Sequence, residues 1–390
     1  MNVVMIRFGE LFLKSEPVKR HFIMSLTRNI GKALQAEELS HRFELHRGRI
    51  LIHGGNPERI AQVAGRIFGI VEAAVCHQTG NTLAEIAGVA VEIAKTKLGD
   101  GVSFAVRARR EGVPGLTSQE IGAQVGSALH DAYPGSTVNL SNPEYEIFVE
   151  VRDFGALLYD TAIPAPGGLP WGTQGKVLSL LSSGIDSPVA AWLMMKRGCE
   201  TASLHIDGGK YAGNDVRATA EKHHAILSTW CAGFPMDLLV VDAEAFYDTI
   251  TKKGPARYRC ILCKRFMLRL GSAVTKDRNF EALVTGDNLG QVASQTLTNM
   301  ATISEAATVP VLRPLIGFDK EEVVRLSRKI GTFDQKQGDL GCRAVPKTPA
   351  TAALPDEIHE AEAAVGMEQL IEEAVERVSV IRALNGKFLP

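Results

Sequence analysis

The sequence predicts an α+β N-terminal half of two small units, followed by an α/β doubly wound domain. Three observations carry that expectation. The chain has 390 residues, two or three domains at about 150 residues each. Short strand and helix patterns alternate over the first 160 residues. Beyond a segment at 163–172 with three prolines and three glycines, the pattern changes to apolar strand–helix repeats.

Residues 3–8 read as a strand, and 17–36 as a helix with Phe22, Leu26, Ile30 and Ala33 on one stripe. Residues 43–46 and 49–53 flank Arg47-Gly48 as a hairpin. Asn56-Pro57 opens a helix to about residue 67, and 71–76 is a strand. Residues 83–98 are helical, 102–108 a strand, 118–132 a helix and 146–151 an alternating strand. Two separate small sheets are expected, one before and one after about residue 56. The domain limits are therefore 1–56, 57–161, a linker at 162–175, and 176–390. In the last domain, apolar runs at 177–181, 201–206, 237–241 and 282–285, each followed by a helical pattern, imply a parallel sheet covered on both faces. An amphipathic helix is expected shortly before Pro390.

A 45% hydrophobic and 22% charged composition, with 37 Gly and 17 Pro, excludes a disordered, collagen-like or coiled-coil architecture. No apolar run approaches the ~20 residues that span a bilayer, so no membrane partner is expected. No secretory pattern is visible at the N-terminus. Six cysteines are too few for a disulfide scaffold, and a cytoplasmic, reducing location is the expectation. The net charge of -1 hides a basic stretch at 252–278 and an acidic tail at 356–373.

The first segment with chemistry in it is Leu180-Leu181-Ser182-Ser183-Gly184-Ile185-Asp186-Ser187-Pro188. An apolar strand runs into a small-residue turn and then a helix with Pro in its first turn. Such a turn gathers backbone N–H groups at a helix N-terminus and suits a phosphate; an ordinary strand–helix turn is the plainer alternative. No Walker A pattern occurs. Residues 182–187 resemble the SGGxDS signature of PP-loop pyrophosphatases, with Ser183 at the first Gly. Residues 286–299 and Arg313-Pro314-Leu315-Ile316-Gly317-Phe318-Asp319-Lys320 resemble the tRNA 4-thiouridine synthetase (ThiI) family. Arg7-Phe8-Gly9-Glu10-Leu11 with Leu13-Lys14-Ser15 and Arg20 is similar to that family's ferredoxin-like domain. Ala108-Arg109-Arg110 with Ser141-Asn142-Pro143-Glu144 resembles its THUMP domain. The likeness is collinear from about residue 3 to 350.

The resemblance implies ATP-dependent thiolation of uridine at position 8 of tRNA. ATP would adenylate uracil O4, pyrophosphate would leave into the loop, and sulfur would displace AMP. Ser182, Ser183, Gly184 and Ser187 would form the loop, with Leu180, Leu181, His205, Ile206, Lys264, Gly286 and Gln295 lining the ATP pocket. Asp186 would order Mg²⁺ or pyrophosphate, its plainer reading being a helix cap. Lys320 would neutralise phosphate charge. Lys14, Lys19, Arg20, Arg109 and Arg110 would contact tRNA phosphates, and a homodimer is implied. Another PP-loop tRNA-modifying or amide-forming synthetase, or a tRNA-binding protein with decayed catalysis, is the alternative.

Cys260 and Cys263 stand one helical turn apart, and Cys342 resembles the family's sulfur-handling cysteine. Nearby Lys and Arg are expected to lower their pKa values. A buried thiol pair or half a zinc site is the plainer reading of the C-x-x-C, and His223-His224, expected on a helix surface, is a poor fourth ligand. Cys76, Cys199 and Cys231 are expected to be inert core thiols. The type without a rhodanese-like domain is the expectation. The set resembles that of methanogen relatives, in which three thiolates hold an iron–sulfur cluster, here a [4Fe-4S] cluster taking inorganic sulfide. The competing scheme has a persulfide on Cys342, supplied by a cysteine desulfurase and resolved by Cys260 or Cys263.

Overall fold

A computed structural model describes residues 2–9, 15–334 and 339–390. They form two compact units. The first holds the N-terminal strand and residues 33–167; the second holds residues 168–390 together with most of the first helix, up to residue 32.

The first unit is built on β1 (Asn2–Phe8), β2 (Arg42–His46), β3 (Arg49–His53), β4 (Ile70–Thr79), β5 (Ser103–Arg110), β6 (Thr137–Val138), β7 (Tyr145–Arg152), β8 (Gly155–Tyr159) and β9 (Ile163–Pro164). These make one nine-stranded sheet in the order β2-β3-β1-β4-β8-β7-β5-β6, with β9 also on β4. The expected break into two sheets near residue 56 does not occur. Ten residues of β4 reach some 33 Å, far enough to pair β1 along one edge while β8 and β9 take the other. Nor is the Pro/Gly segment a free linker: Ile163-Pro164 is a short edge strand, where a missing N–H is tolerated, and the Gly167 N–H donates to the Ile70 carbonyl at 2.7 Å.

The helices of this unit start where side chains can cap them. Asn56 accepts from the Arg59 N–H ahead of α2 (Pro57–Ala64). Thr82–Glu85 and Thr117–Glu120 form capping boxes on α3 (Leu83–Ala94) and α4 (Ser118–Ala132). Ile86, Ala90, Ile121, Val125 and Leu129 of these helices are buried with Phe104, Ile147 and Val149 of the sheet.

In the second unit β10 (Lys176–Leu180), β11 (Glu200–Asp207), β12 (Met236–Asp242), β13 (Ala282–Val284) and β14 (Val311–Leu312) are parallel, as expected. The order is β14-β13-β10-β11-β12-β15-β16. The helices are α5 (Asp186–Lys196), α6 (Val216–Ser228), α7 (Glu244–Lys252), α8 (Arg259–Asp277), α9 (Leu297–Ser304), α10 (Lys320–Ile330), α11 (Pro355–Val365) and α12 (Met367–Glu376). The expected C-terminal amphipathic helix is α12, and an unforeseen hairpin follows it. β15 (Ser379–Leu384) pairs antiparallel with β12, and β16 (Lys387–Phe388) folds back on β15. Asn385 and Gly386, both at positive φ, make the two-residue turn.

The first helix, α1 (Glu16–Ala36), was expected to belong wholly to the N-terminal half. Its residues up to 32 instead pack with the second unit. Asn29 there is fully buried and donates to the Trp171 carbonyl at 3.0 Å, and the Arg28 guanidinium lies 5.5 Å from the centre of the Phe234 ring.

The strand order fixes where a ligand can bind. The chain steps from β10 to β11 to β12 in one direction, then returns to put β13 on the other side of β10. The carboxyl ends of β10 and β13 flank that switch point, where open α/β sheets take their ligands.

Candidate active site in the second unit

Leaving β10, residues 182–187 turn tightly and enter α5. Ser187 Oγ accepts from the Ser182 N–H at 2.9 Å and lies 3.0 Å from Ser182 Oγ, which accepts from the Gly184 N–H at 3.2 Å. The helix N-terminus has no side-chain cap: Ile185 is the capping position, and Asp186 is the first helical residue. Asp186 is therefore not a cap, and the first-turn N–H groups stay available to an anion. Gly286, just after β13, closes against this turn. A methyl group there would lie 2.8 Å from the Ser187 N and 2.9 Å from its Cα.

Two adjoining cavities open here, of about 220 and 230 Å³. Leu180, Leu181, Ser182, Ser183, His205 and Ile206 line the first, together with Tyr211, Tyr247, Met267 and Cys342. Leu180, Ser182, Asp186, Ser187, Lys264, Gly286 and Gln295 line the second, with Asp287 and Thr285. The expected ATP-lining residues thus fall together on both sides of the loop.

Asp287 is the group that sequence reading passed over. It accepts from Lys264 Nζ at 2.6 Å, Thr285 Oγ1 at 2.8 Å and Gln295 Nε2 at 3.4 Å, and Arg313 Nε lies 3.4 Å away. Burial pushes its carboxyl pKa up, but Lys264, Thr285 and Arg313 together hold it below the usual carboxylate range. Its place directly after Gly286, at the end of a buried strand, was the available signal. Burial raises the pKa of Asp186, opposed by a hydrogen bond from Gln291 and by the charge of Lys320, which begins α10.

The cysteines approach this site from two directions. Cys260 and Cys263 lie on α8, and the Cys263 sulfur is 3.2 Å from the Tyr247 hydroxyl. Cys342 is exposed and bridges to Ala212; the Arg343 N–H donates to the Tyr211 carbonyl at 2.8 Å, and the Gly213 N–H to that of Gly341, also at 2.8 Å. A methyl at Gly213 would lie 2.0 Å from the Asp339 carbonyl, so glycine there lets the Cys342 segment dock. For Cys260 and Cys263 the expected lowering of the thiol pKa by neighbouring cations is overturned. Burial pushes Cys263 up to about 12 and raises Cys260, and the mutual proximity of the three sulfurs acts in the same direction. Among the described residues no three His, Cys, Asp or Glu side chains are gathered to hold a metal ion.

His223 and His224 are buried, not on a helix surface, and both bond within the protein. Cys76, Cys199 and Cys231 are buried with raised pKa values, as inert core thiols should be.

The expected RNA contacts do not gather in one unit. Arg20 is exposed on α1, where Lys19 pairs with Glu16 at 3.4 Å. Arg109 and Arg110 are exposed at the end of β5 in the first unit, where Arg109 lines a groove of about 980 Å³ with Gly122, Gly126, His130 and Leu140. Lys14 lies outside the described residues. No helix among them is long and apolar enough to cross a membrane.

Three known families match the chain in order. The ThiI ferredoxin-like domain covers residues 3–74, the THUMP domain 80–160, and the family described as thiamine biosynthesis protein (ThiI) 172–367. A probable tRNA sulfurtransferase of Methanobrevibacter smithii is 38% identical over 383 residues, spanning 97% of this chain and 99% of the relative. One from Coxiella burnetii is 34% identical over 397 residues, spanning 98% and 100%. The crystal structure of a 4-thiouridine synthetase–RNA complex with bound ATP superposes with a TM-score of 0.86 at 30% identity, covering 98% of this chain and 100% of that one. PH1313 from Pyrococcus horikoshii superposes with a TM-score of 0.65 at 27% identity, covering 85% and 100%.

Proposed function

The chain belongs to the tRNA sulfurtransferase (ThiI) family, and on that premise we propose how this site carries out ATP-dependent formation of 4-thiouridine at position 8 of tRNA. One observation carries the reading: Cys342 lines the same cavity as Ser182 and Ser183 of the phosphate loop. A carbonyl oxygen is a poor leaving group, so uracil O4 first attacks the α-phosphorus of ATP and pyrophosphate departs. A sulfur nucleophile then adds at C4 and AMP leaves. The uncapped first turn of α5 receives the pyrophosphate. Asp186, an oxygen donor lining the second cavity, suits Mg²⁺, which takes one or two carboxylates beside substrate phosphates. Lys320 opposes charge developing on the phosphates, and Lys264, held by Asp287, does the same within the cavity. Lys19, Arg20, Arg109 and Arg110 contact tRNA phosphates, and the enzyme works as a homodimer.

For the sulfur route, the donor set fits an iron–sulfur cluster in chemistry: three thiols, with Cys342 close enough to raise the pKa values of both Cys260 and Cys263. Cys260, Cys263 and exposed Cys342 would hold it, and it would supply iron that takes up exogenous sulfide. The exposure of Cys342 favours a second reading. There a desulfurase leaves a persulfide on Cys342, its terminal sulfur attacks C4, and AMP leaves. Cys260 thiolate then breaks the S–S bond, leaving a Cys260–Cys342 disulfide for an external thiol to reduce. Cys263, with its pKa near 12, is the poorer resolving group.

The test is 4-thiouridine in tRNA from cells lacking their own synthetase and expressing this chain. Wild type restores it and Asp186→Ala does not; restoration by Asp186→Ala refutes the loop assignment. Iron after anaerobic purification then separates the routes. Loss of iron in each single Cys→Ala variant supports the cluster, whereas iron-free wild type in which Cys342→Ala and Cys260→Ala lose thiouridine and Cys263→Ala keeps it supports the persulfide.

A further inference from the structure

The His223-His224 pair stands out in the sequence and has no part in the chemistry above. Both residues lie on α6 and both are buried. His224 Nδ1 is 3.0 Å from Ser203 Oγ on β11, and its Nε2 is 3.1 Å from the Met236 carbonyl on β12, a role in packing. His223 is turned to the phosphate loop. Its Nδ1 lies 3.3 Å from the Ser182 carbonyl oxygen, and its ring also meets the backbone of Thr332, just beyond α10. From β11, His205 Nδ1 lies 2.9 Å from the Leu181 carbonyl. A carbonyl only accepts, so the histidine Nδ1 donates in each pair. Burial lowers both imidazole pKa values and favours the neutral rings. Two successive carbonyls of the loop are therefore each held by an imidazole N–H.

A trans peptide points its C=O and the next residue's N–H in opposite directions. With the Ser182 carbonyl held against His223, the Ser183 N–H turns away from α6, and Ser183 lines the cavity assigned to ATP. Flipping that peptide would put a carbonyl oxygen where a phosphate oxygen belongs. Resting on the phosphate-loop reading, we propose that His223 is a positioning residue: it fixes the polarity of the 182–183 peptide so that the loop offers a donor, not an acceptor, to pyrophosphate. His205 acts in the same way one peptide earlier, where the freed Ser182 N–H goes to Ser187 Oγ.

The experiment measures pyrophosphate affinity by calorimetry, and KM for ATP and for tRNA, on the full chain and three variants. In His223→Asn the side-chain amide N stands where Nδ1 was; in His223→Gln it stands where Nε2 was; His223→Leu has neither donor. The Leu variant should bind pyrophosphate and ATP about tenfold more weakly, the equivalent of one buried hydrogen bond, with the tRNA KM within about twofold of wild type. The Asn variant should recover most of that loss and the Gln variant should not. The inference is overturned if Leu binds like wild type, if Gln recovers and Asn does not, if the two amides behave alike, or if the tRNA and ATP KM values rise in step. Should the Leu variant fail to fold, the Asn–Gln comparison decides alone. Wild type that binds no pyrophosphate would overturn the phosphate-loop reading itself.

Discussion

Replacing Gly286 by Ala is a sharp test of how the loop is held. The added methyl carbon would lie 2.8 Å from the Ser187 N, 2.9 Å from its Cα and 3.0 Å from the Asp186 carbonyl carbon. All three atoms belong to the backbone of the first turn of α5, and none can rotate aside. Reaching an ordinary carbon contact of about 3.5–4.0 Å needs a shift of roughly 0.7 Å at the phosphate-binding turn. Overpacking of that kind costs about 1–3 kcal/mol in stability. Misplacement on the 1 Å scale costs up to about 100-fold in rate. Gly286 is not among the glycines at positive φ, so backbone strain does not confuse the result. Gly317→Ala is the control, since a methyl there meets nothing within 4 Å. The assay is pyrophosphate release with ATP and tRNA, with thiouridine followed by its near-ultraviolet absorbance. Gly286→Ala should lose about 30- to 100-fold in kcat/KM for ATP while Gly317→Ala behaves as wild type. A Gly286→Ala enzyme within about threefold of wild type, or an equally impaired Gly317→Ala, refutes the reasoning.

Asp287→Ala should destabilise the second unit by about 3–5 kcal/mol, because it leaves Lys264 and Arg313 unpaired in a largely buried site; a melting temperature equal to wild type counts against this. The folded pKa of Asp287 lies below its unfolded value, so its stabilising contribution is present above the ordinary carboxylate range and is lost as pH falls through the depressed value. Acid melts of wild type should therefore lose a component that Asp287→Asn lacks, and parallel curves refute it. Brief alkylation with iodoacetamide should label exposed Cys342 ahead of Cys263, whose thiol is pushed up to about 12; mass spectrometry showing Cys263 modified first overturns that picture. Arg109→Ala and Arg110→Ala should each weaken tRNA binding and flatten the dependence of log affinity on log salt by about 0.7–0.9, and an unchanged slope removes the arginine from the RNA contacts.

The parallel sheet of the second unit was legible because its strands are continuous apolar runs with a helix between each pair. The carboxyl-end turn was legible because few residue types fit it. Strand pairing in the first unit was not legible, since no local pattern tells that β4 serves two neighbours along its two edges. Helix α1 shows a similar limit. Its apolar stripe of Phe22, Leu26, Ile30 and Ala33 is buried as expected, yet periodicity says nothing of which unit receives the helix. Buried Asn29 on that helix was the available hint, because a buried amide needs a partner, and that partner is the Trp171 carbonyl. The terminal hairpin is a plainer miss. Asn385-Gly386 between two short runs is a hairpin signal in its own right, distinct from the amphipathic helix before it.

The cysteines show why charge read along a chain misleads about chemistry in space. The stretch at 252–278 is crowded with cations around Cys260 and Cys263, yet those cations are engaged elsewhere. Arg259 donates to the Thr251 carbonyl at 2.8 Å. Arg265, almost fully buried, and Arg269 both bind Glu362, and Lys264 is held by Asp287. A guanidinium tied to its own acceptor lends little field to a thiol, whereas desolvation acts on the sulfur directly and disfavours the thiolate. Of these cations Lys264 lowers the two thiol pKa values, and burial outweighs it. Burial by the resident side chains therefore favours the thiol over the thiolate at Cys260 and Cys263, despite the basic sequence around them.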